Sequence, residues 1–146
     1  MNTLKNPSRI EASFLKRGLC GWVPFWIYSA LVFEGAILPA SEIPEFLHRY
    51  NDKFLHFSEF FLLFLISENA FRMAKQRLSG HPGMMAYGYC ILMGVITEMA
   101  QHFAKGRTPE FYDFIADAAG AGLSFALYGF IKLQYYRRLY AARRSG

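Results

Sequence analysis

Charged residues are scarce in this chain of 146 residues, at 18% of the total, and they cluster in a few stretches. Typical soluble domains carry about 25% charged residues. Hydrophobic residues make up 53% and aromatic residues 18% of the chain, so the intervening apolar stretches are long. This distribution is more typical of a membrane protein than of an ordinary soluble domain.

Cysteine is also rare. Only Cys20 and Cys90 are present, a structural disulfide between them is not expected, and buried free thiols are the simplest interpretation. Proline is nearly absent from the long apolar stretches, and Pro24 falls near the start of the first one, where a helix accommodates it. Nothing in the composition therefore interrupts long helices.

Four apolar windows are long enough to cross a bilayer, for which a helix needs about 20 predominantly apolar residues. The first follows Lys16 and Arg17 as a signal peptide would, but its length, its aromatic content and Glu34 favour a retained helix. We predict an all-α fold, an integral membrane four-helix bundle over residues 19–136, with basic tails at residues 1–18 and 137–146. The windows are residues 19–40, 53–74, 83–103 and 113–136.

The basic residues predict the orientation. Four precede the first window, three lie in or beside the second connection and five lie near the C-terminal end, which together are twelve of the 16. Because basic residues close to helix ends favour the cytoplasmic side, both termini are predicted to be cytoplasmic. The basic ends indicate anchoring at a lipid surface, and nucleic acid is a poorer explanation.

The acidic residues are distributed in the opposite way. Eight of the 11 lie in the first and third connections or in the adjoining helical turns. Carboxylates contribute little to membrane topology, so their concentration on the predicted non-cytoplasmic side indicates another role. They are Glu42, Glu45, Asp52, Glu59, Glu98, Glu110, Asp113 and Asp117.

Helical spacing places several polar residues on common faces near the same membrane boundary. Asp52, His56 and Glu59 share a face of the second helix, Glu98 and Gln101 share one of the third, and Asp113 and Asp117 share one of the fourth. In the short loop before the fourth helix, Thr108 is a predicted N-cap and Pro109 a predicted first helical residue. Arg107 precedes this cap and is expected to reach the carboxylates or an anionic ligand.

These motifs resemble the VanZ-like family of membrane proteins over the region from Asp52 to the end of the fourth helix. The resemblance implies a multi-pass protein of the bacterial plasma membrane, in a family named for a member associated with glycopeptide (teicoplanin) resistance. It implies no agreed catalytic mechanism. The residues that carry it are Asp52-Lys53-x-x-His56-x-x-Glu59, Glu98-x-x-Gln101, and Gly106-Arg107-Thr108 with Asp113 and Gly120.

Ionisable residues inside a membrane are costly and usually mark functional sites. One interpretation is a recognition site for a lipid-linked or anionic envelope component; the alternative is a hydrolase or transferase that acts on a lipid-linked substrate. For the alternative, His56, Glu59 and Glu98 are the catalytic candidates, with Glu59 or Glu98 orienting His56. The candidate ligand-binding residues are Asp52, Lys53, His56, Glu59, Glu98, Gln101, Arg107, Asp113 and Asp117.

Other polar residues have simpler interpretations. A metal site built from His56, Glu59, Glu98 and His102 is disfavoured, because the His-x-x-Glu order differs from the usual Glu-x-x-His of helical bundles, so no metal or cofactor is predicted. Glu68 is predicted to pair with Arg72 one turn later. The small residues of the fourth helix, including Gly120, are predicted to permit close helix packing.

Overall fold

The computed structural model describes residues 18–44, 51–74 and 80–144, apart from the side chain of Arg143. These residues form helices and connecting turns without a β-strand. After a π-helical turn at Gly18–Trp22 come α1 (Val23–Ile37) and a 3₁₀ turn (Ala40–Glu42), then α2 (Asp52–Ala74), α3 (Pro82–Gln101) and α4 (Phe111–Arg144).

Four helical segments have the length and composition of membrane spans, as the sequence predicts. They are apolar around most of their circumference, and large side chains such as Trp26, Leu92 and Phe130 are exposed on the outside of the bundle. Such helices suit a hydrocarbon environment and not water. The spans are Leu19–Ile37, Asp52–Ala74, Pro82–Gln101 and Phe111–Ala142.

The central helix of the bundle is α2. Its most extensive interface is with α4, it also packs on α3, and α1 packs across α2 and α3. A core of buried side chains lies where the helices meet. It contains Val32, Phe60, Leu63, Phe64, Ala86, Cys90, Met93 and Ala121.

The close packing of α2 and α4 depends on Gly120. A Cβ atom added there would overlap the carbonyl oxygen of Phe57 on α2 and would lie 2.8 Å from its carbonyl carbon. This confirms the predicted packing role of Gly120. Gly122, in contrast, has only ordinary van der Waals distances to Tyr87. The backbones of α2 and α4 therefore approach closely at Gly120, next to the polar residues described below.

Two sequence predictions about α4 differ from the structure. The helix begins at Phe111, so Thr108 is not its N-cap and Pro109 is not its first residue. Residues 107–110 form an irregular connection, and the Glu110 backbone N–H donates to a side chain of α3. At the other end, α4 continues as one helix through the segment predicted as a tail, as far as Arg144.

The turn after α3 positions the connection to α4. Gly106 has a φ of 77°, in the left-handed region that glycine adopts without strain. The backbone N–H of Ala40 donates to the carbonyl oxygen of Lys105 at 3.2 Å, which ties the 3₁₀ turn after α1 to this loop. Arg107 is therefore held close to the end of α1.

Candidate functional site

The predicted polar residues lie together at one end of the bundle. We call this region the site end and define it as residues 52–59 of α2, residues 98–101 of α3 and residues 107–117. His56 lies at its centre, only 8% exposed. One side of His56 faces a cluster of carboxylates between α2, α3 and α4, and the other side faces a cavity next to α1.

His56 lies against two carboxylates of α4. Its Nδ1 atom is 3.0 Å from Oδ1 of Asp117, which is 1% exposed. Its Nε2 atom is 4.0 Å from Oδ2 of Asp113, one helical turn earlier. The i, i+4 spacing of the two aspartates on α4 therefore brackets the imidazole ring, as their predicted common face requires.

Lys53 joins the starts of α2 and α4. Its ammonium group contacts the Asp113 carboxylate and lies 2.7 Å from Oε2 of Glu110. The hydrogen bond and charge of Lys53 hold the pKa of Glu110 below its ordinary value of 4.5. The Glu110 backbone N–H in turn donates to Oε2 of Glu98 at 3.0 Å, so this network connects all three helices.

Two carboxylate oxygens in the cluster are buried without a hydrogen-bond partner among the described residues. They are Oδ2 of Asp117 and Oε1 of Glu98. Unpartnered buried carboxylate oxygens are costly, and each one calls for a specific explanation.

A cavity of about 710 Å³ lies on the other side of His56, between α1, α2 and α3. The wall formed by α1 and the turn after it is mainly apolar and includes Val32 and Ala36. Most of the polar and charged lining side chains come from α2, α3 and the loop before α4, and Arg107 contributes a cation. The polar lining residues are Tyr28, Asp52, His56, Ser58, Glu59, Thr97, Gln101 and Arg107.

All nine candidate residues lie at the site end, but they divide into two groups around His56. Lys53, Glu98, Asp113 and Asp117 belong to the carboxylate cluster. Asp52, Glu59, Gln101 and Arg107 line the cavity with His56. Gln101 is among the most buried of these side chains, at 2% exposure.

One expected pairing is different in the structure and another is confirmed. The carboxylate that contacts His56 is Asp117, and not Glu59 or Glu98 as the enzyme alternative predicts. Arg107 forms no ion pair within the described part of the chain, although it lies close enough to Glu59 for electrostatic attraction. The local pair between Glu68 and Arg72 is confirmed, with 3.6 Å between Oε2 and Nε.

Sequence reasoning missed two contributions to the site. Glu110 is among the acidic residues of the predicted non-cytoplasmic side but not among the nine candidates, yet its side chain accepts from Lys53 and its backbone N–H donates to Glu98. Its i, i+3 spacing from Asp113 was a usable signal. The second contribution is the α1 wall of the cavity, which the buried spacing of Ser29, Val32 and Ala36 would have indicated.

This architecture, with four apolar spans around buried ionisable residues, defines a multi-pass membrane protein. The chain belongs to the VanZ-like family, because the family model described as VanZ/LLP1 matches residues 3–132. An uncharacterised protein of the fission yeast Schizosaccharomyces pombe is 27% identical over 133 residues, which cover 90% of this chain and 72% of that protein. No solved structure matches the chain.

Proposed function

We propose that this protein binds a phosphate-bearing lipid in the cavity between α1, α2 and α3. The observation that carries the proposal is the division of the cavity lining into a mainly apolar wall from α1 and polar residues, including Arg107, from α2, α3 and the loop before α4. Acyl or prenyl chains match the apolar wall, and a guanidinium group suits bidentate recognition of phosphate. A cavity of about 710 Å³ also falls within the usual range of ligand sites.

The other charged lining residues restrict the headgroup. Asp52 and Glu59 lie at the same end of the cavity as Arg107, and an anion with no donors would be repelled by their carboxylates. A headgroup that adds hydroxyl or ammonium donors to the phosphate satisfies both kinds of side chain. A relative in a fungus favours a ligand class common to many membranes over a component confined to the bacterial cell wall.

Binding is tested with purified protein in nanodiscs, by native mass spectrometry and competition. The phospholipid arm uses phosphatidylglycerol and phosphatidylethanolamine, the lipid-linked arm uses a glycosylated polyprenyl pyrophosphate, and phosphatidylcholine is the reference without headgroup donors. We expect one retained lipid per chain from the first or the second arm. Equal retention of phosphatidylcholine would contradict the proposed headgroup selectivity.

Arg107→Ala is the decisive variant, and Lys105→Ala is its matched control. Lys105 lies in the same loop but does not line the cavity. Loss of a charged hydrogen bond of about 1.5–3 kcal/mol corresponds to an affinity roughly 10- to 100-fold weaker for Arg107→Ala. Lys105→Ala should bind as the wild type does. Unchanged binding by Arg107→Ala would reject the phosphate-recognition role.

A second function, hydrolysis or group transfer on the bound lipid, is favoured by one specific contact. The carboxylate of Asp117 holds His56 Nδ1 while the ring borders the cavity, an arrangement that suits a general base. Water or a substrate hydroxyl, deprotonated by His56, would attack phosphorus, and the P–O bond to the leaving alcohol or phosphate would break. The protonated His56 would return its proton to the leaving oxygen, and Arg107 would stabilise the developing negative charge. His56→Gln and Asp117→Asn should then retain the lipid and lose turnover. If the wild type leaves every tested lipid chemically unchanged, this second function is rejected.

We further propose that both termini are cytoplasmic, so that the site end lies at the non-cytoplasmic surface. The basic residues near the opposite ends of the helices support this orientation. Fusions at the C-terminus test it. A fluorescent protein that folds only in the cytoplasm should be active there, and alkaline phosphatase should be inactive. The reverse pattern would place the site end in the cytoplasm.

The resemblance also supports a role in a bacterial envelope that affects glycopeptide susceptibility. In a strain that lacks the protein, wild type and Lys105→Ala should restore the parental susceptibility to teicoplanin, and Arg107→Ala should not. Immunoblots of isolated membranes establish that each variant inserts. Identical susceptibility in all these strains would remove the resistance role, and lipid binding would then be judged by its own assay.

A further inference from the structure

His56, Glu98 and Asp117 bring three metal-ligating groups together from three different helices. One ligand atom of each residue lies within 4.8 Å of those of the other two. The set differs from the one considered in the sequence. It contains Asp117 in place of Glu59 and His102, and His102 is exposed. The sequence argument against a metal concerned the His-x-x-Glu order along α2. It does not apply to this group, which takes only His56 from α2.

The orientation of Asp117 is independent evidence for a ligand. Asp117 is only 1% exposed, and its Oδ2 atom has no hydrogen-bond partner among the described residues. This oxygen faces α3 at Gly94, where an added Cβ would lie 3.4 Å from it. Gly94 lies one turn before Glu98 on the same helix, so the free oxygen is directed toward the face that carries Glu98.

Glu98 is arranged in a corresponding way. The backbone N–H of Glu110 holds its Oε2 atom at 3.0 Å, while its Oε1 atom is buried and unpartnered among the described residues. The nearby cation does not compensate this charge directly, since Lys53 contacts Asp113 and Glu110 instead. Two carboxylates, that of Asp117 fully buried and that of Glu98 partly buried, thus meet where unpartnered charges are unfavourable.

We propose that His56, Glu98 and Asp117 bind a divalent first-row transition metal ion, with Zn²⁺ as the preferred ion. One imidazole nitrogen and two carboxylate oxygens are typical zinc ligands, and three protein ligands leave a coordination position open. The imidazole disfavours Mg²⁺ and Ca²⁺, which prefer oxygen ligands alone. The ion offsets the charge of the two carboxylates, and the proposal does not depend on lipid binding. A His56 side chain bound to the ion would not act as the general base of the second function above, so these two roles of His56 exclude each other.

A second group of ligand types, formed by Asp52, His56 and Asp113, is a weaker candidate. Its ligand atoms also lie within 4.8 Å of one another. However, the Lys53 ammonium group already contacts Asp113, and its positive charge repels a metal ion at that position. Asp52 is also exposed, whereas Asp117 is buried.

The test uses full-length protein purified in detergent with a tag that contains no histidine. After removal of metal by a chelator, Zn²⁺, Mn²⁺, Mg²⁺ and Ca²⁺ are titrated separately by calorimetry, and metal content is measured by mass spectrometry. We expect one Zn²⁺ per chain and an increase in the thermal unfolding temperature. Asp117→Asn and Glu98→Gln should each weaken Zn²⁺ binding by at least the roughly 10- to 100-fold that loss of a group supporting a metal ligand costs, because both are proposed direct ligands.

Glu68→Gln is the matched control, because Glu68 is a buried carboxylate of α2 that lies outside the proposed group. It should bind Zn²⁺ as the wild type does. Visible absorption of Co²⁺ bound to the wild-type protein provides a measurement that needs no variant to fold. Absence of Zn²⁺ and Co²⁺ binding, equal affinity for Mg²⁺, or weakening by Glu68→Gln alone would each overturn the assignment.

Discussion

Two buried carboxylates at contacts between α2 and α4, Glu68 and Asp117, are partnered in different ways. Glu68 is 3% exposed and pairs with Arg72, one turn later on its own helix. It also interacts with the hydroxyl group of Tyr128 on α4. Asp117 is 1% exposed, and its partner His56 lies 61 residues earlier in the chain, on another helix.

The difference separates helix stabilisation from site assembly. The Glu68–Arg72 pair can form as soon as α2 is helical, because i, i+4 side chains lie on one face. The contact between His56 and Asp117 requires α2 and α4 to be packed together. The His56–Asp117 contact therefore depends on tertiary structure in a way that the Glu68–Arg72 pair does not, and the following experiments test this contrast.

The largest effect is expected for Gly120→Ala. An added Cβ would overlap the backbone carbonyl oxygen of Phe57, which cannot rotate away as a flexible side chain can. Overpacking of this kind costs about 3 kcal/mol. Gly129→Ala is the matched control on the same helix, since no atom lies within 4 Å of its added Cβ.

Equilibrium unfolding in mixed detergent micelles measures both variants. Gly129→Ala should be as stable as the wild type or slightly more stable, because alanine has the higher helix propensity. Equal stability of the two variants would contradict the close approach of α2 and α4 at the site end.

A double-mutant cycle between His56 and Asp117 is expected to give the next largest effect. Substitution of each residue by alanine, singly and together, should reveal a coupling free energy of about 1.5–3 kcal/mol, the range for hydrogen bonds that involve charged groups. The unfolding free energies of the four proteins provide the measurement. Additive effects of the two substitutions would show that the contact contributes nothing to stability.

The same cycle between Glu68 and Arg72 should give a smaller coupling of about 0.3–0.5 kcal/mol. The Arg72 side chain is 52% exposed, so surrounding solvent screens the pair. Unfolding under the same conditions makes the two cycles directly comparable. A coupling as large as that of His56 and Asp117 would remove the proposed distinction between local and tertiary pairs.

The smallest effect is expected at Glu110, where the pair with Lys53 is exposed. Because the pKa of Glu110 in the folded protein is lowered from 4.5, the pair stabilises the fold at pH values above about 4.5. That contribution is lost as the pH falls through the lowered folded-state value. Glu110→Gln should therefore unfold at a slightly lower temperature than the wild type at neutral pH and at the same temperature in acid.

Glu42→Gln is the control for this pH series. Glu42 is exposed and forms no ion pair with any residue that the structure describes. Its unfolding temperature should follow that of the wild type at every pH. A pH-independent deficit for Glu110→Gln would attribute the effect to something other than the charge of the carboxylate.

Much of the fold is predictable because a membrane span is defined by length and composition. The predicted windows agree with the observed helices to within a few residues at most ends, although α4 extends beyond its window to Arg144. The predicted N-cap places the start of α4 too early. Thr108 and Pro109 have the residue types of a helix start but lie in the irregular connection before Phe111. Such local signals do not register a competing tertiary hydrogen bond, such as the one between Glu110 and Glu98.

The sequence alone determined that the chain has four apolar helices, and that polar residues recur at one depth along three of them. Both properties follow from the periodicity and length of single helices. Only the tertiary structure decided that His56 contacts Asp117, that Arg107 lines a cavity against α1, and that two carboxylate oxygens are left unpartnered. These features depend on how each helix is rotated about its axis and how closely it approaches its neighbours. The periodicity within one helix determines neither its rotation nor its distance relative to another helix.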